Sequence, residues 1–332
     1  MAELAVTALT LIDYAKRLDP KGKIDPGIIE LMAQQNPLTE HLPFVEGNLK
    51  TGHRTTVRTG LPTPTWRLLN KGVAATKSTT AQIDEACGMM ECRSQLDKAL
   101  ADLGGDRAAL RMSEAKPHLE AMAQEFVGTF FYGVASAPEE FVGLSARYSS
   151  LSASNGSHII DGGAAGGQTD CSSIWLLSLG ENSLHGIYPQ GSVAGVQHED
   201  LGLQDAFDSS SNRYRAYMDH FKWDCGIALR DWRQCVRIAN IDISVLISET
   251  SAADLVKLMT KAYHRVQNLK SGRMGWYMNR TVFEYLDIQR QASVSAGGGI
   301  NWDNVDGMAR PSFRGIPIYV VDQLTQAESV VA

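Results

Sequence analysis

The sequence has no apolar run approaching the roughly 20 residues that a membrane-spanning helix needs; stretches such as Ile174–Leu179 fall far short. Its opening, MAELAVTALTLIDYAKRLDP, carries acids where a secretory signal carries lysines, so synthesis and retention inside a cell are expected. Cysteine is sparse and odd in number. Cys87, Cys92, Cys171, Cys225 and Cys235 are too scattered for a disulfide framework, and free, buried thiols in a reducing compartment are expected. Basic charge is also short, with 31 Lys and Arg against 37 Asp and Glu and a net charge of −6, which argues against general affinity for nucleic acid. With 44% apolar and 20% charged residues over 332 positions, disorder, collagen and coiled coil are excluded, and the chain can form a sizeable core.

Catalytic signatures are missing as well. The run Gly162-Gly163-Ala164-Ala165-Gly166-Gly167 lacks the Lys-Ser/Thr of a phosphate loop and precedes a strand, where a dinucleotide fingerprint follows one, so it reads as a loop. Cys87 and Cys92 have no second pair of ligands to complete a zinc site. His198-Glu199-Asp200 supplies a base and carboxylates, but adjacent residues do not converge on one point, and a solvated loop is expected there. No G-x-S-x-G elbow is present. No catalytic, metal or cofactor residue is assigned, and no enzyme activity is expected.

What is present is strongly segmented. Two helical patterns, Thr10–Leu18 and one opening at Asp25-Pro26, make residues 1–46 an arm. From Gly47 to Ile83, threonines broken by Gly and Pro alternate with Lys50, Arg54, Arg58, Arg67, Lys71 and Lys77, without one acid. Leu61, Trp66, Leu68 and Leu69 are too few to bury such a segment against itself, so a long, exposed, basic β-hairpin over 47–90 is expected, in need of a partner. Met89–Leu103 shows helical spacing, and Ser113–Ala135 carries the strongest helical stripe: Ala115, Leu119, Met122, Phe126, Phe130 and Val134, widened by Val127 and Phe131. Pro117 is expected in its first turn and Pro138 at its end. SIWLLSL, LHGIYP, Tyr214–Trp223, Ile227–Asp231 and VRIANIDIS read as strands of a mostly antiparallel sheet. Helices over Ala252–Leu269 and Arg280–Arg290, a strand over Gly275–Met278, a glycine turn at 297–299 and a last strand FRGIPIYVVDQL complete an α+β chain. The basic hairpin is matched by acids on and beside the long helix: Asp97, Asp102, Glu114, Glu120, Glu125, Glu139 and Glu140. Charge segregated in this way favours ordered self-association. The interleaved segment RYRAYMDHFKW (Arg213–Trp223) is a weaker candidate for nucleic acid, because Asp219 and Asp224 dilute its positive potential.

Arm, long hairpin, long helix, sheet and final α+β unit, in this order, resemble the major capsid proteins of tailed double-stranded DNA bacteriophages, of Hong Kong 97 type. The likeness is carried by RTTVRTGLPTPTWRLLNKGVAATKSTTAQIDEACGMME, SIWLLSLGENSLHGIYPQGSVAGVQHEDLG, KWDCGIALRDWRQCVRIANID, GRMGWYMNRTVFEYLDIQ and FRGIPIYVVDQL, which look like a group of short-tailed phages. The resemblance implies an extended loop at 47–90, a peripheral domain at 91–240 with its spine helix at 113–136, and an axial domain at 241–332. It implies assembly as hexamers and pentamers into an icosahedral shell in the bacterial cytoplasm, enclosing double-stranded DNA without sequence-specific binding. Portal and decoration or cement proteins are implied partners, as is a separate scaffolding protein, since only some 24 residues precede the first firm helix. No membrane and no cofactor are implied. The contacts expected between copies are Arg54, Arg58, Trp66, Arg67, Lys71 and Lys77 of the loop with Glu120, Glu125, Glu139 and Glu140 of the acidic face. Three other readings compete: a bacterial encapsulating compartment of the same fold, told apart by a protein cargo; a soluble α/β enzyme using the 161–170 loop; and a nucleic-acid-binding module using the hairpin.

Overall fold

The computed structural model describes residues 34, 36–103, 106–208, 210–249, 252–292, 301–305 and 308–332. The two helical patterns expected before residue 34 and the glycine turn at 297–299 lie outside them. The chain runs α1 (Leu38–His41), β1 (Phe44–Glu46), β2 (Gly52–Gly60), β3 (Thr79–Ala86), β4 (Gly88–Asp97), α2 (Lys98–Leu103), α3 (Arg107–Tyr132) and α4 (Leu144–Arg147). Next come β5 (Ile159–Asp161), β6 (Cys171–Leu179), β7 (Leu184–Tyr188), β8 (Gln197–Phe207), β9 (Arg213–Leu229) and β10 (Val236–Asp242). It closes with α5 (Ile243–Ser248), α6 (Leu255–Arg265), β11 (Arg273–Met278), α7 (Arg280–Ala292), β12 (Asn301–Val305), β13 (Met308–Phe313) and β14 (Ile316–Val320). The α+β class expected from the sequence holds. No helix among the described residues is long and apolar enough to cross a membrane.

The apolar run of β6 is buried along its whole length because it lies at the centre of the larger sheet. β10 and β11 flank it antiparallel, β14 continues beside β11, and β5 beside β10. Successive side chains of a strand point to opposite faces, and β6 divides accordingly. Trp175, Leu177 and Leu179 enter a core with Phe126, Phe130 and Phe131 of α3. Ile174 and Leu176 enter a second core with Leu258 and Met259 of α6 and Val282 and Leu286 of α7, which draws residues from both sides of position 240. Most pairings are antiparallel; β1–β7, β5–β10, β6–β7 and β11–β14 are parallel.

The long helix begins earlier than its apolar stripe suggests. Asp106 caps it by accepting a hydrogen bond from the Ala109 amide at 3.0 Å, so Pro117 sits well inside the 26-residue helix instead of in its first turn. It ends at Gly133, before Pro138, because the Phe141 carbonyl crosses so close that no side chain fits at position 133. Met122, Phe126, Val127, Phe130 and Phe131 are buried as expected, whereas Leu119 and Val134 are exposed.

Four other expectations are corrected. Residues 88–97 form a strand, since Met90, Cys92, Ser94 and Leu96 turn inward with a period of two against β9, and only Lys98–Leu103 is helical. His198-Glu199-Asp200 lies in β8, not in a loop; this polar edge strand forms a hairpin with β9. The two strands expected around Asp224-Cys225-Gly226 are one 17-residue strand, and Gly226 is where the backbone of Ala86 and Cys87 crosses it too closely for a side chain. The last expected strand, Phe313–Leu324, opens on the turn of the β13–β14 hairpin at Arg314 and Gly315, with φ of 54° and 75°, and is a strand only over Ile316–Val320. All five cysteines are free, Cys171, Cys225 and Cys235 buried and Cys87 and Cys92 half-buried.

The stripe on α3 makes a quantitative expectation. Phe126 is fully buried and stacks on Trp223 at 4.7 Å, so Phe126→Ala lowers subunit stability by about 3–5 kcal/mol, read from the urea midpoint. Exposed Leu119→Ala shifts it by under about 1 kcal/mol.

Candidate inter-subunit surface

The acid-free segment forms the hairpin that its composition predicts. β2 and β3 pair antiparallel from Gly52↔Ala86 to Gly60↔Thr79, with an irregularity between Arg58 and Gly60, and pair with no other strand. Between them, residues 61–78 contain neither helix nor strand. Two hydrogen bonds brace this tip, Lys71 N–H to the Leu68 carbonyl at 3.2 Å and Thr76 Oγ1 to the Thr63 carbonyl at 3.3 Å. The apolar residues of the tip have no core to enter. Trp66 is 102% exposed and Leu69 91%, with Leu61 and Leu68 close behind.

The cations of the hairpin fall into two groups. Arg54 stands opposite Asp84 in the ladder and holds it with two hydrogen bonds of 2.6 Å, Nε to Oδ1 and Nη2 to Oδ2. This pairing raises the Arg54 pKa and lowers that of Asp84, so the Arg54 charge is already answered within its own hairpin. Asp84 lies one residue beyond the acid-free segment. Arg58, Arg67, Lys71 and Lys77 are exposed and, among the described residues, none has an ion-pair partner.

At the root the hairpin meets the body through buried polar groups. Glu85 receives two hydrogen bonds from Arg147, Nη1 to Oε1 at 2.5 Å and Nη2 to Oε2 at 2.7 Å, and Arg147 also donates to the Val142 carbonyl. Opposite Glu85 in the ladder, His53 contacts Arg230 at 3.1 Å. These partners were not found in the sequence. They are 62 and 177 residues apart, and nothing local marks them.

The four acids expected to receive the hairpin do not form one face. Glu120 is half-buried on α3, accepts hydrogen bonds from the Gln34 amide and the Gln124 side chain, and lines a cleft of about 800 Å³ with Glu40, Phe283 and Tyr319. Glu125 is exposed on the same helix. Glu139 and Glu140 lie beyond the helix end, in the turn whose backbone packs against Gly88 just past the hairpin root. The sequence reading missed a second acidic stretch, on β8, where Glu199 and Asp205 are exposed while Asp200 is tied to Arg111 at 2.5 Å. Arg111 also grips Asp219 of β9, whose carboxylate is bonded in turn by His198 at 2.9 Å. These bonds hold the Asp219 pKa below the usual range although burial opposes it.

The comparisons agree with this architecture. The chain is similar to a chain in the structure of bacteriophage Epsilon15, with 33% identity, all of both chains covered and a TM-score of 0.77. Bacteriophage JBD30 capsid protein shares the fold at 8% identity, over 90% of this chain and 94% of the other, with a TM-score of 0.50. The SrpI encapsulin of Synechococcus elongatus, at 10% identity, 70% and 97% coverage and a TM-score of 0.46, is too distant to bear on the assignment. No curated protein sequence matches the chain. The family model for the major capsid protein GP7 matches residues 19–332, and the chain belongs to this family of phage major capsid proteins.

Proposed function

We propose that this capsid subunit assembles as hexamers and pentamers into an icosahedral shell around packaged double-stranded DNA, with the hairpin of each copy lying across the adjacent copy. The observation that supports the hairpin's role most directly is the tip. Trp66 and Leu69 stand in water beside Arg67 and Lys71, on a limb that cannot bury them itself. At about 3.3 Å per residue, arms of about 15–20 residues reach on the order of 50 Å, enough to span a neighbouring subunit. Burying each large apolar side chain of the tip contributes on the order of 2 kcal/mol, against about 0–1 kcal/mol for an exposed ion pair. Trp66, with Leu61, Leu68 and Leu69, is therefore the main source of affinity. Arg58, Arg67, Lys71 and Lys77 supply orientation, through the neighbour's Glu120, Glu125, Glu139 and Glu140. Arg54 has a smaller part, because it is bonded to Asp84. Weak contacts repeated over a closed lattice let misplaced subunits anneal.

In this reading residues 1–46 form an arm, 47–90 the extended loop, 91–240 a peripheral domain and 241–332 an axial domain. The boundary between the last two runs through the larger sheet, since the second core takes Ile174, Leu176, Val236 and Ile238 from before it. A separate scaffolding protein, a portal and a decoration or cement protein complete the particle, which assembles in the host bacterial cytoplasm. With its net charge of −6 the subunit holds enclosed DNA loosely. The role is structural, with no enzymatic step.

Arg58→Glu combined with Arg67→Glu prevents shell formation, as seen by electron microscopy and sedimentation, while the circular dichroism spectrum of the subunit is unchanged. Wild-type-like shells from this variant would show that the hairpin cations do not guide assembly. The difference in fluorescence between wild type and Trp66→Phe reports Trp66 alone. It shifts to the blue when subunits assemble, and an unshifted spectrum in closed shells would leave the tip in water.

A further inference from the structure

The two strands of the hairpin bury only Gly52, His53 and Glu85, so attachment of the limb is concentrated at its root. Two arginines of the body face these residues. Arg147 holds the Glu85 carboxylate through both oxygens. Arg230, just past the end of β9, places Nη2 3.1 Å from His53 Nε2. A guanidinium only donates, so this contact is a hydrogen bond only while Nε2 of His53 carries no proton. The imidazole is then neutral with its proton on Nδ1, an atom that is buried without a partner. Behind it lies His185 of β7, 0% exposed, its ring edge-on to His53 at 6.1 Å between centroids. Arg230 Nε, beside them, is buried and has no hydrogen-bond partner either.

We propose that the His53–Arg230 contact, backed by His185, is a proton-sensitive latch on the hairpin root: protonation of the two imidazoles sets them against Arg230 and frees the hairpin to pivot on the body. The latch lies outside the apolar clusters of the body, with His185 seated in β7 behind the root.

The groups that face the latch agree on the direction. Burial, then Arg230, lower the His53 pKa, with Glu85 opposing them; Glu85 is itself occupied by Arg147. Burial, then Arg230, then His53 hold His185 down to about 4 against the Gly180 carbonyl, which favours a proton there. Both folded-state values lie below the ordinary value of about 6.5. The docked root thus binds fewer protons than the released one. The latch is at full strength above about pH 6.5 and weakens as pH falls towards about 4. The inference stands whether or not the hairpin reaches a neighbour, because it concerns the angle between limb and body in one subunit.

The test is amide hydrogen exchange of the full chain as dissociated subunits at pH 7 and pH 5, corrected for intrinsic rates. Peptides spanning 52–60 and 79–86 are expected to lose protection at pH 5 relative to 171–179. His53→Gln, whose amide oxygen accepts from Arg230 at either pH, combined with His185→Leu, removes the difference. Arg230→Gln reduces it independently, and decides the matter if the double variant does not fold. Glu85→Gln leaves the pH response in place. Equal protection of the wild type at both pH values overturns the proposal. So does a response that survives in the histidine and arginine variants, or one that vanishes in Glu85→Gln, which would assign it to the Arg147 pair.

Discussion

A single uninterrupted strand determines how the parts of this subunit are held together. β9 bonds to β7 through Gly226–Leu229, and over its remaining length to β4 on one side and β8 on the other. One element therefore carries the larger sheet from β7 out to β4 and β8. Phe221 and Trp223 of β9 contribute to the core beneath that helix, while Gly226 allows the chain leaving the hairpin to cross at close range. A break in β9 would uncouple the spine helix, the hairpin root and the larger sheet at once. The core residues around it close the remaining degrees of freedom.

On that frame the hairpin is a limb with a fixed base and an unsatisfied end. Its ladder pairs β2 only with β3, and among the described residues none shields the apolar tip. A monomer that kept this surface in water would carry an interaction site with no occupant. In the function proposed for this capsid subunit the occupant is a further copy of the chain. The polar contacts at the base give the limb a direction, through the Arg147–Glu85 and Arg230–His53 contacts and the Arg54–Asp84 pair further along the ladder.

Much of this was legible in the sequence wherever a strong local pattern met a matching environment. The continuous apolar run of β6, buried on both faces, and the stripe from Met122 to Phe131 on α3 both read correctly. The hairpin was legible from its threonines, glycines and missing acids. β4 was not, because the spacing of Met89, Cys92, Leu96, Leu100 and Leu103 also fits a helix, and only pairing with β9 selects the strand. β8 was hidden by its polarity: an edge strand facing water lacks the alternation that marks a half-buried one. At the candidate surface the exposed cations and Trp66 were visible, while Asp84, Arg147, His185 and Arg230 acquire their roles only through tertiary contacts. The four acids divide between the long helix, which holds Glu120 and Glu125, and the turn beyond its end, which holds Glu139 and Glu140.

The central claim is that this limb, held by β9 and the root contacts, spans from one copy to the next in a closed shell. Electron cryomicroscopy of particles assembled from the full chain tests it most directly. The account predicts density for residues 52–86 leaving one subunit and crossing its neighbour, with Trp66 enclosed by the neighbouring copy. Density that folds the hairpin back over its own subunit, or a closed shell in which residues 61–78 remain in solvent, would contradict it.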